Sequence, residues 1–199
     1  MAAKWQKTRK TFRHGHLVEA LVAAAVTRLE ADGVHALSLR ELARDAGVNH
    51  RAVYRHFPDK LSLLARVAQE GWGRMERRVK QQLTGRPAGE QALVAAGIGL
   101  FLFARDHPNL FGLMAGPRIN MKGAFPDLEA SMANTLAMFR RPFVDCGVKP
   151  DLAVVRSALF LSALQGITTQ ILHRRLHVSR ARMKDFVAQA CRMLFKGLR

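Results

Sequence analysis

The chain has 199 residues, 32 Lys and Arg against 15 Asp and Glu, and a formal net charge of +17. That length holds one larger domain or two small ones with a real core, and a 49% hydrophobic content excludes a disordered basic tail. The charge favours anionic partners, nucleic acid first and an anionic membrane surface second. Two cysteines, Cys146 and Cys191, do not make a disulfide framework. No Cys-x-x-Cys or Cys/His ligand spacing is present, so neither a metal nor a cofactor is expected. Free thiols fit a reducing compartment. The charged N-terminus has no apolar run behind it, and the longest apolar stretch, 92–104, has 13 residues. A membrane span needs roughly 20. A cytoplasmic protein with no membrane partner is expected.

In chain order every predicted element is a helix. Leu17, Leu21, Ala24, Ala25 and Leu29 recur at helical spacing and predict a helix from about His16 to Asp32, closed by Gly33. Ser38 and Glu41 read as a capping box opening a short helix over 39–46, with Gly47 as the turn. Asn49 then caps a helix over 50–56. Pro58-Asp59-Lys60 starts a longer helix to about Leu83, and Gly85-Arg86-Pro87 ends it. Further helices are predicted at about 88–106, 108–115, 127–146, 150–176 and 179–198. The 116–126 stretch reads as a loop.

The second and third helices form a helix-turn-helix pattern. Leu39, Leu42, Ala43 and Ala46 give one apolar side; Val48, Ala52, Val53 and Phe57 give the other. The remaining face of the second of these helices carries His50, Arg51, Tyr54 and Arg55. Hydrogen-bonding and cationic residues there suit a recognition helix in the major groove.

Residues 37–64, and above all the Tyr-x-His-Phe-x-x-Lys-x-x-Leu-Leu run from Tyr54 to Leu64, closely resemble the DNA-binding domain of the TetR family of transcriptional regulators. The resemblance covers roughly 14–66. It implies an all-α fold of about nine helices: a three-helix helix-turn-helix domain followed by a helical ligand-binding and dimerisation domain. It implies that Tyr54 and Lys60 contact phosphates and that His56 contacts the backbone. His50 and Arg51 fall where members vary to read different operators. Arg40 matches an arginine that reads a guanine, the base best suited to a bidentate Arg contact. Asn49 replaces a commoner Ser at the helix start and is placed with these residues. Ahead of the domain lie Lys7, Arg9, Lys10 and Arg13, expected as a basic arm for phosphates or the minor groove.

The C-terminal half resembles the family's regulatory region. The stretch 101–114 resembles a subgroup carrying a Trp-x-x-x-His-Gly element. Here that element falls at 161–166, with Gly166 kept and Leu161 and Gln165 in place of Trp and His. Phe101, Met114, Met121 and Phe125, with Met132, Phe139, Phe160 and Gln165, are candidates to line a pocket for an unknown small-molecule effector. Met suits an adaptable pocket. The last two helices carry wide apolar faces: Leu152, Val155, Leu159, Ala163 and Gly166 on one, Phe186, Val187, Ala190 and Leu194 on the other. The resemblance implies that such a pair forms a homodimer interface.

The expected organisation is a basic arm over 1–13, a DNA-binding domain over 14–60, a connecting helix and linker over 61–86, and a ligand-binding and dimerisation domain over 87–199. The expected function is a ligand-responsive repressor that binds a palindromic DNA operator as a dimer. Three alternatives stay open: a non-specific architectural DNA-binding protein, a membrane-surface protein and an enzyme. For the last, His173 and His177 stand at i, i+4, as two ligands on one helix face would. No zincin Glu lies between them, and no nucleophile arrangement or phosphate-binding glycine loop is apparent, so no enzyme is expected.

Overall fold

The computed structural model describes residues 17–116, 119 and 123–198. Nine α-helices and one short 3-10 turn make up the described residues, with no strand among them. The helices are α1 Leu17–Asp32, α2 Leu39–Asp45, α3 His50–His56, α4 Lys60–Leu83, α5 Glu90–Asp106, α6 Pro108–Met114, α7 Pro126–Asp145, α8 Pro150–Leu172 and α9 Met183–Leu198. Contacts divide the chain into two compact units, one ending at Val67 and the other starting at Ala68. The division falls inside α4, within the helix expected to connect the domains.

The first unit is built on α1. Leu21, Ala25 and Leu29 are buried at helical spacing, α2 packs on both α1 and α3, and Leu39 and Leu42 of α2 and Val53 of α3 are buried as well. Arg28 of α1 clamps α2 from outside, pairing with Glu41 at 3.2 Å and Asp45 at 2.9 Å. This clamp overturns one expectation. Ser38 is the N-cap of α2, but its side chain makes no capping bond. Glu41 is drawn to Arg28 instead of folding back on its own helix start. The reciprocal box lies two junctions later, at the start of α4. The Ser62 N–H donates to Asp59 Oδ1 at 2.7 Å and the Asp59 N–H donates to Ser62 Oγ at 3.3 Å. The Asp-x-x-Ser order hides it from a Ser/Thr-x-x-Glu/Gln search.

The second unit is a helical bundle in which α5 packs on α9 and α7 on α8. Phe139 and Phe143 of α7 meet Phe160 of α8 at ring-centroid distances of 6.3 and 6.4 Å, and Phe143 meets Phe195 of α9 at 5.3 Å. Four rings therefore join three helices in one core. Close approach of α4 and α5 depends on Gly99: a Cβ there would stand 2.8 Å from the Val79 Cα.

One further expectation is corrected. α8 ends at Leu172, with His173 as its C-cap and Arg174 at φ 57°, and α9 begins only at Met183. His173 and His177 therefore do not share a helix face. α8 is also long and apolar enough to cross a membrane by length and composition alone. Asp151, Arg156 and Gln165 interrupt its apolar sequence, so it holds no long unbroken apolar run. Its buried residues, among them Phe160, Leu161 and Leu164, face the bundle.

Candidate nucleic-acid interface

The turn between α2 and α3 sets the site. Gly47 adopts φ 66°, a left-handed conformation that costs a side chain energy. The Val48 N–H reaches back to the Ala43 carbonyl at 3.0 Å, closing the turn on α2. Asn49 Oδ1 then accepts from the Arg51 N–H at 2.9 Å, satisfying one free amide at the start of α3. Val53 and Phe57 are buried and fix the rotation of α3 about its own axis. The rest of the helix has one way to face: His50, Arg51, Tyr54, Arg55 and His56 are all exposed. Tyr54, at 40% exposure, is a large aromatic held at the surface.

Arg40 on α2 and Lys60 at the first position of α4 are exposed as well, as is Asn49. The Asp59–Ser62 box holds Lys60 where the α4 backbone starts. Electrostatics favour an anion on this surface. Glu41 and Asp45 are committed to Arg28, and Asp59 to its cap. Among the described residues Arg40, Arg51, Arg55 and Lys60 pair with no carboxylate, so their charge is available to a ligand. The arm residues Lys7, Arg9, Lys10 and Arg13 lie outside the described residues.

In the second unit the pocket candidates separate. Phe101, Phe139 and Phe160 are at 0–1% exposure and Met114 is at 2%, all in the packed core. Phe125, Met132 and Gln165 are half-buried, and Met121 lies outside the described residues. Two buried polar atoms that sequence reasoning missed are Trp72 Nε1 and Thr168 Oγ1, which have no hydrogen-bond partner among the described residues. The other buried hydroxyls are bonded within their own helices: Thr135 to the Ser131 carbonyl at 3.1 Å and Ser157 to the Val154 carbonyl at 2.9 Å. No sequence signal marks this difference, because a helical Thr usually can bond back to its own helix.

Of the interface candidates, Leu152, Val155, Leu159 and Gly166 are exposed, and Ala163, Phe186, Ala190 and Leu194 are half-buried. Val187 is a correction. It is at 0% exposure, on the α9 face that carries Cys191 and Phe195 into the chain's own core, so it presents nothing to a partner. Met193, at 67% exposure, is the apolar residue that α9 does present. Cys191 is buried against α5, and burial pushes its thiol up to about 12. Among the described residues no three His, Cys, Asp or Glu side chains converge as a metal site.

A turn-linked pair of short helices, with a polar cationic face turned outward and an all-helical second unit, defines a helix-turn-helix DNA-binding regulator. The family model for bacterial regulatory proteins of the tetR family matches residues 21–67, and that for the tetracyclin repressor-like C-terminal domain matches 93–194. The chain belongs to the TetR family and is a DNA-binding transcriptional regulator. Its fold is similar to that of a Rhodococcus sp. RHA1 protein of unknown function, at 26% identity and TM-score 0.80 over 95% of this chain and 98% of that one. A single-residue variant of TetR from Acinetobacter baumannii AYE, in complex with minocycline, matches at 19% identity and TM-score 0.66 over 89% and 93%. BioQ with its natural double-stranded DNA operator matches at 21% identity and TM-score 0.65 over 91% and 96%.

Proposed function

We propose that this protein is a ligand-responsive repressor, and that two copies bind a palindromic operator in the cytoplasm. The observation that carries the DNA half of this reading is the outward face of α3, fixed by Val53 and Phe57 and, among the described residues, free of carboxylate partners. His50 and Arg51 read base edges, and Arg40 reads a guanine. Tyr54, Arg55, His56 and Lys60 hold phosphates, Asn49 fixes the helix start, and the arm residues Lys7, Arg9, Lys10 and Arg13 add phosphate or minor-groove contacts. Paired recognition helices about 34–36 Å apart would reach successive major grooves. Selection of bound duplexes from a random library tests this. An inverted repeat with half-sites about 10 base pairs apart, centre to centre, is expected. A selected pool without sequence preference would overturn the reading in favour of an architectural protein.

The effector half rests on Trp72 and Thr168. A buried donor without a partner carries a desolvation cost of about 1–3 kcal/mol. An uncharged effector with a hydrogen-bond acceptor would relieve it, with Phe125, Met132 and Gln165 as half-buried candidate lining and Phe101, Met114, Phe139 and Phe160 as packed residues that would have to part; Met121 lies outside the described residues. The Acinetobacter baumannii TetR variant, whose fold is similar, is known in complex with a small molecule, minocycline. The effector must favour the DNA-incompetent state, and DNA must weaken effector binding by the same factor. Thr168→Val should leave unliganded stability unchanged or raised while weakening release from DNA by compounds found in a thermal-shift screen. A fall in unliganded stability would mean that the hydroxyl is structural.

A further inference from the structure

Most of the positive charge lies outside the DNA-reading head. Residues 1–60 hold 11 Lys and Arg against 6 Asp and Glu; residues 61–199 hold 21 against 9. Within the second unit some of these cations are paired and others, scattered singly as Arg86, Arg140, Lys149 and Lys196 are, stand exposed without a carboxylate among the described residues. Those on α4 are neutralised: Arg74 by Glu70 at 2.8 Å, Arg77 by the same carboxylate at 3.5 Å, Arg78 by Asp106 at 3.2 Å and Lys80 by Glu76. The segment joining α8 to α9 is different. Arg174, Arg175, Arg180, Arg182 and Lys184 are all exposed, His173 and His177 stand among them, and none of the five pairs with a carboxylate among the described residues.

Stability explains only part of this cluster. Arg174 and Arg175 follow the C-terminal end of α8, where a cation interacts favourably with the helix dipole. The other three stand at the wrong end of a helix. The Arg182 carbonyl accepts the first bond of α9, from the Phe186 N–H at 2.9 Å, so Arg182 occupies the cap position where Ser, Thr, Asp or Asn is preferred. Lys184 is in the first turn, and Arg180 lies just ahead of it. Cations at a helix start are disfavoured by the dipole, and Asp185 is the one acidic residue of that turn. Five clustered cations, four on a connection whose backbone bonds close it at both ends and one in the first turn of α9, make a concentrated positive patch with no carboxylate partner among the described residues.

We propose that the 173–184 segment is a second DNA contact, which grips the phosphate backbone of duplex DNA without reading its sequence. Four of its five cations are arginine, whose planar fork matches phosphate oxygens two at a time. A lipid surface fits less well. Anchoring on a bilayer uses an amphipathic helix with a broad apolar face. Here the chain between α8 and α9 is not helical, and Leu176 is its one exposed large apolar residue. A regulator held on DNA by its head also meets phosphate at a high local concentration. The contact would raise residence on non-operator DNA, or hold a second duplex beside the operator.

The test uses the full-length protein and random-sequence duplexes, long and short, titrated over a range of salt. In the fourfold variant Arg174→Gln, Arg175→Gln, Arg180→Gln and Arg182→Gln, the slope of log affinity against log salt should fall by about 3 to 4 per chain. The matched control Arg86→Gln, Arg140→Gln, Lys149→Gln and Lys196→Gln should keep the parent slope. A parent-like slope in the fourfold variant overturns the proposal, as does an equal fall in the control, which would make net charge the cause. Binding of the parent to phosphatidylglycerol vesicles that is lost in the variant, with the DNA slope unchanged, overturns it in favour of a lipid surface. A slope change confined to long duplexes places the contact on the flanks of the same DNA. Capture of a labelled second duplex by protein saturated with the first places it on another. Either supports the proposal. Should the fourfold variant unfold early, Arg180→Gln and Arg182→Gln alone should each lower the slope by about 0.9, and no change in either overturns it.

Discussion

Arg51 and Lys60 are both exposed cations without carboxylate partners among the described residues, yet their positions give them different work. Arg51 projects from the first turn of α3, where a side chain reaches base edges if the helix lies in the major groove. Lys60 sits at the start of α4 beside the Asp59–Ser62 box and in the proposed docking would meet the DNA backbone. Arg51→Ala should therefore change which sequences are preferred, costing about 1–3 kcal/mol at the affected base pair. Lys60→Gln should weaken binding to all sequences alike and lower the salt slope by about 1. Competition binding with single-base operator variants separates the two, and the same uniform loss from both would contradict the proposed docking. At the same scale, Cys191 carries a pH signature. Its thiol stays protonated in the folded chain up to about 12, while 9.0 is its ordinary value. Between those values the unfolded state holds fewer protons than the native one, so stability present below about pH 9 is lost as pH rises toward 12. Urea titrations of the parent and Cys191→Ala across that window should show a steeper alkaline decline in the parent. In the native state an alkylating reagent should label Cys146 well before Cys191.

At the scale of elements, two glycines give opposite expectations. A Cβ on Gly99 of α5 meets the Val79 Cα of α4 at 2.8 Å, and backbone cannot swing aside as a side chain can. Gly99→Ala should destabilise the second unit by about 1–3 kcal/mol through forced separation of the two helices. A Cβ on Gly73 of α4 meets only the far end of Arg77, at 3.6 Å. Gly73→Ala should gain up to about 1 kcal/mol of helix propensity. Thermal melts of the two variants should therefore move in opposite directions. These contacts also mark what local sequence can say. Helical spacing and turn residues placed α3 at 50–56 and located its free face, because that information lies within a few residues. The capping of α2 could not be read this way, since Glu41 is claimed by Arg28, thirteen positions earlier on another helix. Val187 and Phe186 are both apolar neighbours on α9, so residue type does not tell which of them faces out. Only the docking of α9 on α5, with Cys191 over Gly97, decides which neighbour turns inward. That Thr168 has no hydrogen-bond partner among the described residues is likewise a property of packing and rotamer, invisible in residue type.

At the scale of the whole molecule, the exposed residues of α8 are where the proposed second copy would dock. Leu152, Val155 and Leu159, followed by Ser162 and Gly166, recur at alternating spacings of three and four, and all five are exposed. That spacing is the one a helix-pair seam would have in the proposed dimer. Leu152, Val155 and Leu159 are 43–55% exposed, a concentration of apolar surface that a monomeric protein seldom leaves in water. A small residue at Gly166, where an added Cβ would meet nothing within 4 Å, lets a second backbone approach closely. Dimerisation bears on DNA binding through effective concentration. Once one head is bound, its twin binds as an intramolecular event, which raises affinity on the order of 10²–10⁴-fold without any new contact. Leu159→Arg would put a charge in the middle of the seam, on a side chain that is already in solvent in the single chain. The variant should keep its helix content and sediment as a monomer. Its operator affinity should fall by a factor of that order, while a single half-site is bound as well by the variant as by the parent. A variant that stayed dimeric with unchanged operator affinity would remove α8 from the interface. A monomer with unchanged affinity would remove the two-headed reading itself.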